Sequence, residues 1–150
     1  MKPVISNELF FAEVERLLSE EGRVVLTVQG NSMRPFVRSG RTRAVLALCD
    51  PSQLTKGDEV LFRSLGRHIL HRIISVDGDE LLLSGDGNYR IFERCRREDV
   101  VARVEAFVSR KGRVTECGSG RWRRASALWL WLHPFLRRCI LSALRRLRIL

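Results

Sequence analysis

From Arg43 to Val108 the chain is a succession of short runs rich in Val, Ile and Leu, each closed by turn residues, and this pattern constrains the fold more than any other feature. The runs are Arg43 to Leu48, Glu59 to Arg63, Arg67 to Val76, Glu80 to Leu83 and Val100 to Val108, with turn signals such as Lys56-Gly57-Asp58 and Lys111-Gly112. A further strand-like run, Arg23 to Val28, precedes them. They predict a mainly β protein built on a small, coiled, mostly antiparallel sheet. At 150 residues and 45% hydrophobic content the chain suffices for one ordinary globular core.

Residues 1–22 read as one packing helix. Ser6 or Asn7 can cap its start, Gly22 can end it, and Phe10, Val14, Leu17 and Leu18 recur at helical spacing. Glu8, Glu13 and Glu15 rule out the apolar region of a signal peptide, and no membrane anchor is expected at this end. The organisation expected is a helix over 1–22, a β domain over 23–116 and an arginine-rich tail over 117–150.

A candidate reactive centre interrupts the β pattern at Gly30-Asn31-Ser32-Met33-Arg34-Pro35, and His71 follows Ser32 by 39 positions on a strand-like run. A serine hydroxyl needs a neighbouring base to become a nucleophile at neutral pH, so serine and histidine together carry the signal. Gly30 permits backbone conformations closed to other residues, and Pro35 keeps the chain from a regular strand or helix, so Ser32 is expected on a tight turn. The plain alternative for each residue is structural: a turn serine and a strand histidine.

Four boxes occur in order: Gly30 to Pro35, Lys56-Gly57-Asp58-Glu59-Val60, Ile69 to Ile73, and Gly85-Asp86-Gly87-Asn88. Together they resemble the signal peptidase I superfamily, which shares its fold with the self-cleaving repressors, over roughly residues 24–107. The resemblance implies a protease domain over 23–116, with Ser32 as nucleophile and His71 as general base, as in the endoplasmic-reticulum and archaeal branch. Only Lys2, Lys56 and Lys111 are present, and none stands at the base position used by the lysine branch. The Ser32 amide is the natural oxyanion donor, and Gly30, Asn31, Met33 and Pro35 complete the expected oxyanion and substrate-binding surface. Phe36 is a further candidate for substrate contact or core. No cofactor is expected.

The third member is less defined. If Asp77-Gly78 forms a two-residue turn, Val76 faces Asp79, His71 faces Ser84, and Asp86 lies diagonally within reach of His71. Asp86 is then the first choice to orient the imidazole, with Glu93 second. A shift of one position would send Asp86 to the other face. The eukaryotic relatives carry aspartates after their Gly-Asp box, whereas Tyr89-Arg90-Ile91-Phe92-Glu93 stands here. A role of Asp86 in the turn alone is the competing reading. His68 is expected to be exposed or structural, and His133 to belong to the tail.

Cys49, Cys95, Cys117 and Cys139 form no Cys-x-x-Cys pair and have no histidines at metal spacing, so free thiols and no metal site are expected. Residues 121–150 hold eight arginines and no acid, supplying +8 of the net +10. Leu128, Trp131, Leu132, Phe135, Leu136 and Cys139 follow helical spacing there, and Pro134 should divide the helix. Such a segment suits a membrane surface, and its longest apolar stretch, Ala125 to Phe135, is too short to span one. Packing against the body or another chain is the second reading; nucleic-acid contact, with no recognised motif, is the least supported. About 22 residues precede the β domain, too few for the DNA-binding unit of the repressors.

These observations lead to a serine endopeptidase acting on a signal, leader or precursor peptide, peripherally membrane-associated through its tail or acting on cytoplasmic precursors. The alternative is a non-catalytic protease-fold module binding membrane, leader peptide or nucleic acid. Self-cleavage is a third possibility, with the linker at 109–120 as its only candidate.

Overall fold

Each Val/Ile/Leu-rich run forms a strand because its alternate side chains find apolar cover on one or both faces of a shared sheet. A computed structural model describes residues 7–147. Within it lie α1 (Asn7–Glu21), β1 (Arg23–Thr27), β2 (Arg43–Ala47), β3 (Glu59–Ser64), β4 (Arg67–Asp77) and β5 (Glu80–Ser84). They are followed by β6 (Glu93–Arg96), β7 (Val100–Val108), β8 (Val114–Glu116), α2 (Gly120–Trp131) and α3 (Pro134–Arg146). The strands form one sheet in the order β1-β2-β7-β3-β4-β5-β6, with β8 added to β7. All described pairings are antiparallel. The protein is therefore mainly antiparallel β with one N-terminal and two C-terminal helices, and the expected strands are all present within a residue or two.

Two strands escape sequence reading. The Glu-Arg-Cys-Arg segment of β6 has a single apolar residue, Cys95, and pairing with β5 rather than its own composition makes it a strand. At three residues, β8 is too short to show a period.

β3 is buried on both faces and separates two apolar clusters. Leu61 joins Val14, Leu18, Met33, Val37, Leu46, Val104 and Phe107 on one side. Val60 and Phe62 join Leu54, Ile73, Leu81, Leu83 and Cys95 on the other, as the two-residue period of a strand requires. The helix α1 inserts Val14 and Leu18 into the first cluster, each burial worth on the order of 2 kcal/mol. Gly22 ends it as expected: φ is +75°, and its N–H donates to the Leu18 carbonyl. Phe10 departs from the expected apolar face and is exposed, while Phe11 packs on the cluster instead and stacks on His68. Ser6 lies outside the described residues.

The tail divides at Pro134, as predicted. Its first half is not a detached module: α2 lays Trp122 against Phe36 and Phe107, and Trp129 is 5% exposed with its ring edge-on to Phe36. Packing against the body therefore describes α2, for which the helical spacing alone had no directional information.

Candidate active site

Ser32 sits on a tight turn between β1 and β2, closed by the Arg34 N–H donating to the Asn31 carbonyl and followed by a second turn in which the Val37 N–H donates to the Met33 carbonyl. Gly30 has φ +86°, a conformation costly for any side chain, and its N–H donates to Ser39 Oγ. Met33 is 2% exposed and fixed in the first core cluster, so its side chain anchors the turn. Asn31 is exposed, and its carbonyl accepts from the Arg34 N–H. Pro35 is half-buried and follows a cis peptide bond. Ser32 is partly exposed, and its hydroxyl and its amide have no hydrogen-bond partner among the described residues.

The serine turn rests on the Gly85-Asp86-Gly87 segment. The Gly87 N–H donates to the Ser32 carbonyl at 2.7 Å. A methyl group at Gly85 would lie 2.4 Å from that carbonyl oxygen, 2.9 Å from Ser32 Cβ and 3.0 Å from His71 Nε2. Ser32 and the imidazole thus converge on one point in space that only a glycine leaves open. At Gly87 the same addition would meet the Asn31 carbonyl oxygen at 2.8 Å. Both glycines are required by close approach of two chain segments.

His71 is 4% exposed, on β4, with its other ring nitrogen, Nδ1, 2.6 Å from Glu93 Oε2. The expected register of the β4–β5 hairpin does not hold. Asp77 faces Glu80, so the turn residues are Gly78 and Asp79, and Ile74 bulges between paired residues. As a result Ser84 faces Arg72, not His71. The diagonal rule that was to bring Asp86 to His71 brings it to Arg72: Nε and Nη2 donate to the two Asp86 carboxylate oxygens at 2.8 and 2.7 Å. Asp86, the first choice for orienting the imidazole, is thereby occupied by a buried guanidinium. Glu93, the second choice, is the carboxylate on His71. It reaches the same sheet face because β6 pairs Glu93 with Leu83, which faces Ile73, two residues from His71.

Arg72 was not singled out from sequence, yet it is the most deeply buried charge among the described residues. Besides Asp86 it contacts Glu59 at 2.7 Å, donates to the Gly57 carbonyl, and lies over the adjacent rings of Phe36 and Trp122, 5.7 Å from each centroid. Burial works against its charge, but Asp86 and Glu59 outweigh that and hold its pKa above the ordinary value. Burial pushes the Glu59 carboxyl above its ordinary value, with the Arg72 charge opposing. Helix α2 completes the cluster: Trp122 Nε1 donates to Glu59 at 2.7 Å, and Trp129 Nε1 donates to the Asp86 carbonyl at 3.0 Å. The second and fourth sequence boxes therefore form one buried network that carries the Gly85–Gly87 support of Ser32.

His68 is structural, as expected, bonded to Glu15 of α1. His133 caps α3 by accepting from the Phe135 N–H. Among the described residues no group of His, Cys, Asp and Glu could hold a metal ion. A groove of about 1070 Å³ lies between α2 and strands β7 and β8, lined by residues such as Arg103, Glu105 and Ser126 but by none of Ser32, His71 and Glu93.

Chemically, the arrangement brings Ser32 Cβ and the His71 imidazole to one point, with a carboxylate behind the imidazole and an unengaged amide at the serine. Such an assembly suits acyl transfer. No protein-family model matches the chain, and no curated protein matches it.

Proposed function

We propose that the chain is a serine endopeptidase of the signal peptidase type, cleaving a signal, leader or precursor peptide. The observation that carries this reading is the convergence of Ser32 Cβ and His71 Nε2 on the space above Gly85, with Glu93 on the opposite ring nitrogen. The four ordered boxes that resemble the signal peptidase superfamily support it from sequence, and the antiparallel sheet is compatible with it.

Ser32 Oγ attacks the scissile carbonyl carbon as His71 Nε2 takes its proton. The tetrahedral oxyanion is met by the Ser32 N–H. His71 then returns the proton to the leaving amine, the peptide bond breaks, and an acyl ester on Ser32 remains. Water, deprotonated by the same imidazole, releases the acid and restores the hydroxyl. Glu93 holds Nδ1 protonated and stabilises the imidazolium formed in each half-reaction, so it is a positioning residue. A hydroxyl not yet bonded to its base is common in the substrate-free form of such sites, where these bonds tighten on binding.

The substrate would lie extended. β1 ends the sheet, and its chain runs directly into the serine turn, so a peptide added along that free edge is led to Ser32. Small side chains just before the cut are what the family resemblance implies.

The test incubates candidate precursor peptides, with small residues before the expected cut, with wild type, Ser32→Ala and His71→Ala, and reads the products by mass spectrometry. A single cut made only by wild type is expected. Equal cutting by all three proteins would discard the assignment.

A further inference from the structure

We infer that α3 lies in the plane of an anionic membrane surface, with its apolar face in the lipid. Helix α3 has no buried residue, although half of it is apolar. Its half-buried positions are Arg137, Leu141 and Leu144, which share one side. Arg137 turns inward: it donates to the Leu130 and Leu132 carbonyls and lies 5.9 Å from the Trp129 ring centroid. That contact sets the helix's rotation. It leaves Phe135, Leu136, Cys139, Ile140, Ala143 and Leu147 on a solvent-facing ridge at spacings of three and four.

The exposures are large for such side chains: 63% for Phe135, 67% for Leu147, and 81% for Trp131 at the end of α2. Arg138 and Arg145 stand beside the ridge and Arg146 interrupts it near its C-terminal end; all three are exposed, free to extend toward headgroups while the ridge enters the acyl boundary. No described helix is long and apolar enough to cross a membrane, which matches a helix lying on the surface.

Charge selects among occupants. Residues 121–150 carry eight arginines and no acid, so a second copy would bring two strongly positive faces together. A nucleic acid would satisfy the arginines but leave Phe135, Ile140 and Leu147 in water. An anionic bilayer satisfies both halves of the surface, adding apolar burial to attraction of each surface arginine.

The test is co-sedimentation of the full chain with vesicles of phosphatidylcholine containing phosphatidylglycerol, and of phosphatidylcholine alone. Fluorescence reports the contact, because Trp122 and Trp129 are packed inside and Trp131 is exposed. Wild type should bind the anionic vesicles with a blue-shifted emission and weaken with salt. Phe135→Ser with Ile140→Ser, and separately Arg138→Glu with Arg145→Glu, should each lower partitioning at least about tenfold. Thermal unfolding should be unchanged, since neither pair touches the core. Vesicle binding that ignores both pairs, its absence in wild type, or a dimer dissolved by the serine pair would overturn the inference. Ser32→Ala should bind vesicles as wild type does, so this result stands apart from the peptidase reading.

Discussion

His71 Nδ1 and Glu93 Oε2 stand 2.6 Å apart, so β6, an edge strand without a visible apolar period, delivers the carboxylate that orients the imidazole. One residue along β4, Arg72 points to the other face and takes Asp86. Two neighbouring residues thus divide two carboxylates between the two faces of the sheet.

This division gives opposite signatures for two isosteric changes. Glu93→Gln should lower kcat for peptide cleavage about 10²- to 10⁴-fold with little change in thermal stability, because the imidazole loses its orienting charge and little packing. Asp86→Asn should instead lower the unfolding temperature. Measuring kcat and Tm on both variants decides the matter, and a reversed pattern would return Asp86 to His71.

The buried cluster should be brittle toward loss of its cation. Arg72→Met strands Glu59 and Asp86 without a counter-charge, at a cost of about 3–5 kcal/mol in denaturant unfolding. Glu59 already holds its proton more tightly when folded, so the folded state binds more protons there and stability falls as pH rises above the ordinary carboxylate range. Without Arg72 that slope should steepen, and lowering the pH should recover part of the loss. A flat pH profile in Arg72→Met would contradict this account.

Gly85→Ala tests the convergence point. The methyl would meet backbone oxygen at 2.4 Å and the space between Ser32 and His71, so about 1–3 kcal/mol of stability and most of the cleavage activity should be lost. Gly118→Ala is the control, because its added methyl meets nothing within 4 Å. Equal behaviour of the two variants would refute the close approach.

Thiol reactivity should follow burial. Burial pushes the Cys95 thiol up to about 12 and raises Cys117 as well, whereas Cys139 is exposed on α3. Alkylation at mildly basic pH should label Cys139 first, with Cys95 and Cys117 reacting only after denaturation. Peptide mapping over time reads the order, and early labelling of Cys95 would mean that β6 does not cover the second cluster.

Much of this protein is determined by local sequence alone. Turn residues and β-branched runs specify the strands, Gly22 and Pro134 end or divide the helices, and the order of Ser32, His71 and Gly85-Asp86-Gly87 marks the segments that meet. Local chemistry suffices there because a turn or a strand is chosen within a few residues. The partner of each carboxylate was decided elsewhere. The one-place move of the turn shifts each partner by two positions and keeps the sheet face, whereas the bulge at Ile74 exchanges it, and neither alters the hydrophobic pattern enough to be read in advance. The same holds for Glu93, Arg72, Trp122 and Trp129. Each is assigned by long-range pairing, where a buried polar group has to find the one partner that the folded sheet brings within hydrogen-bond distance.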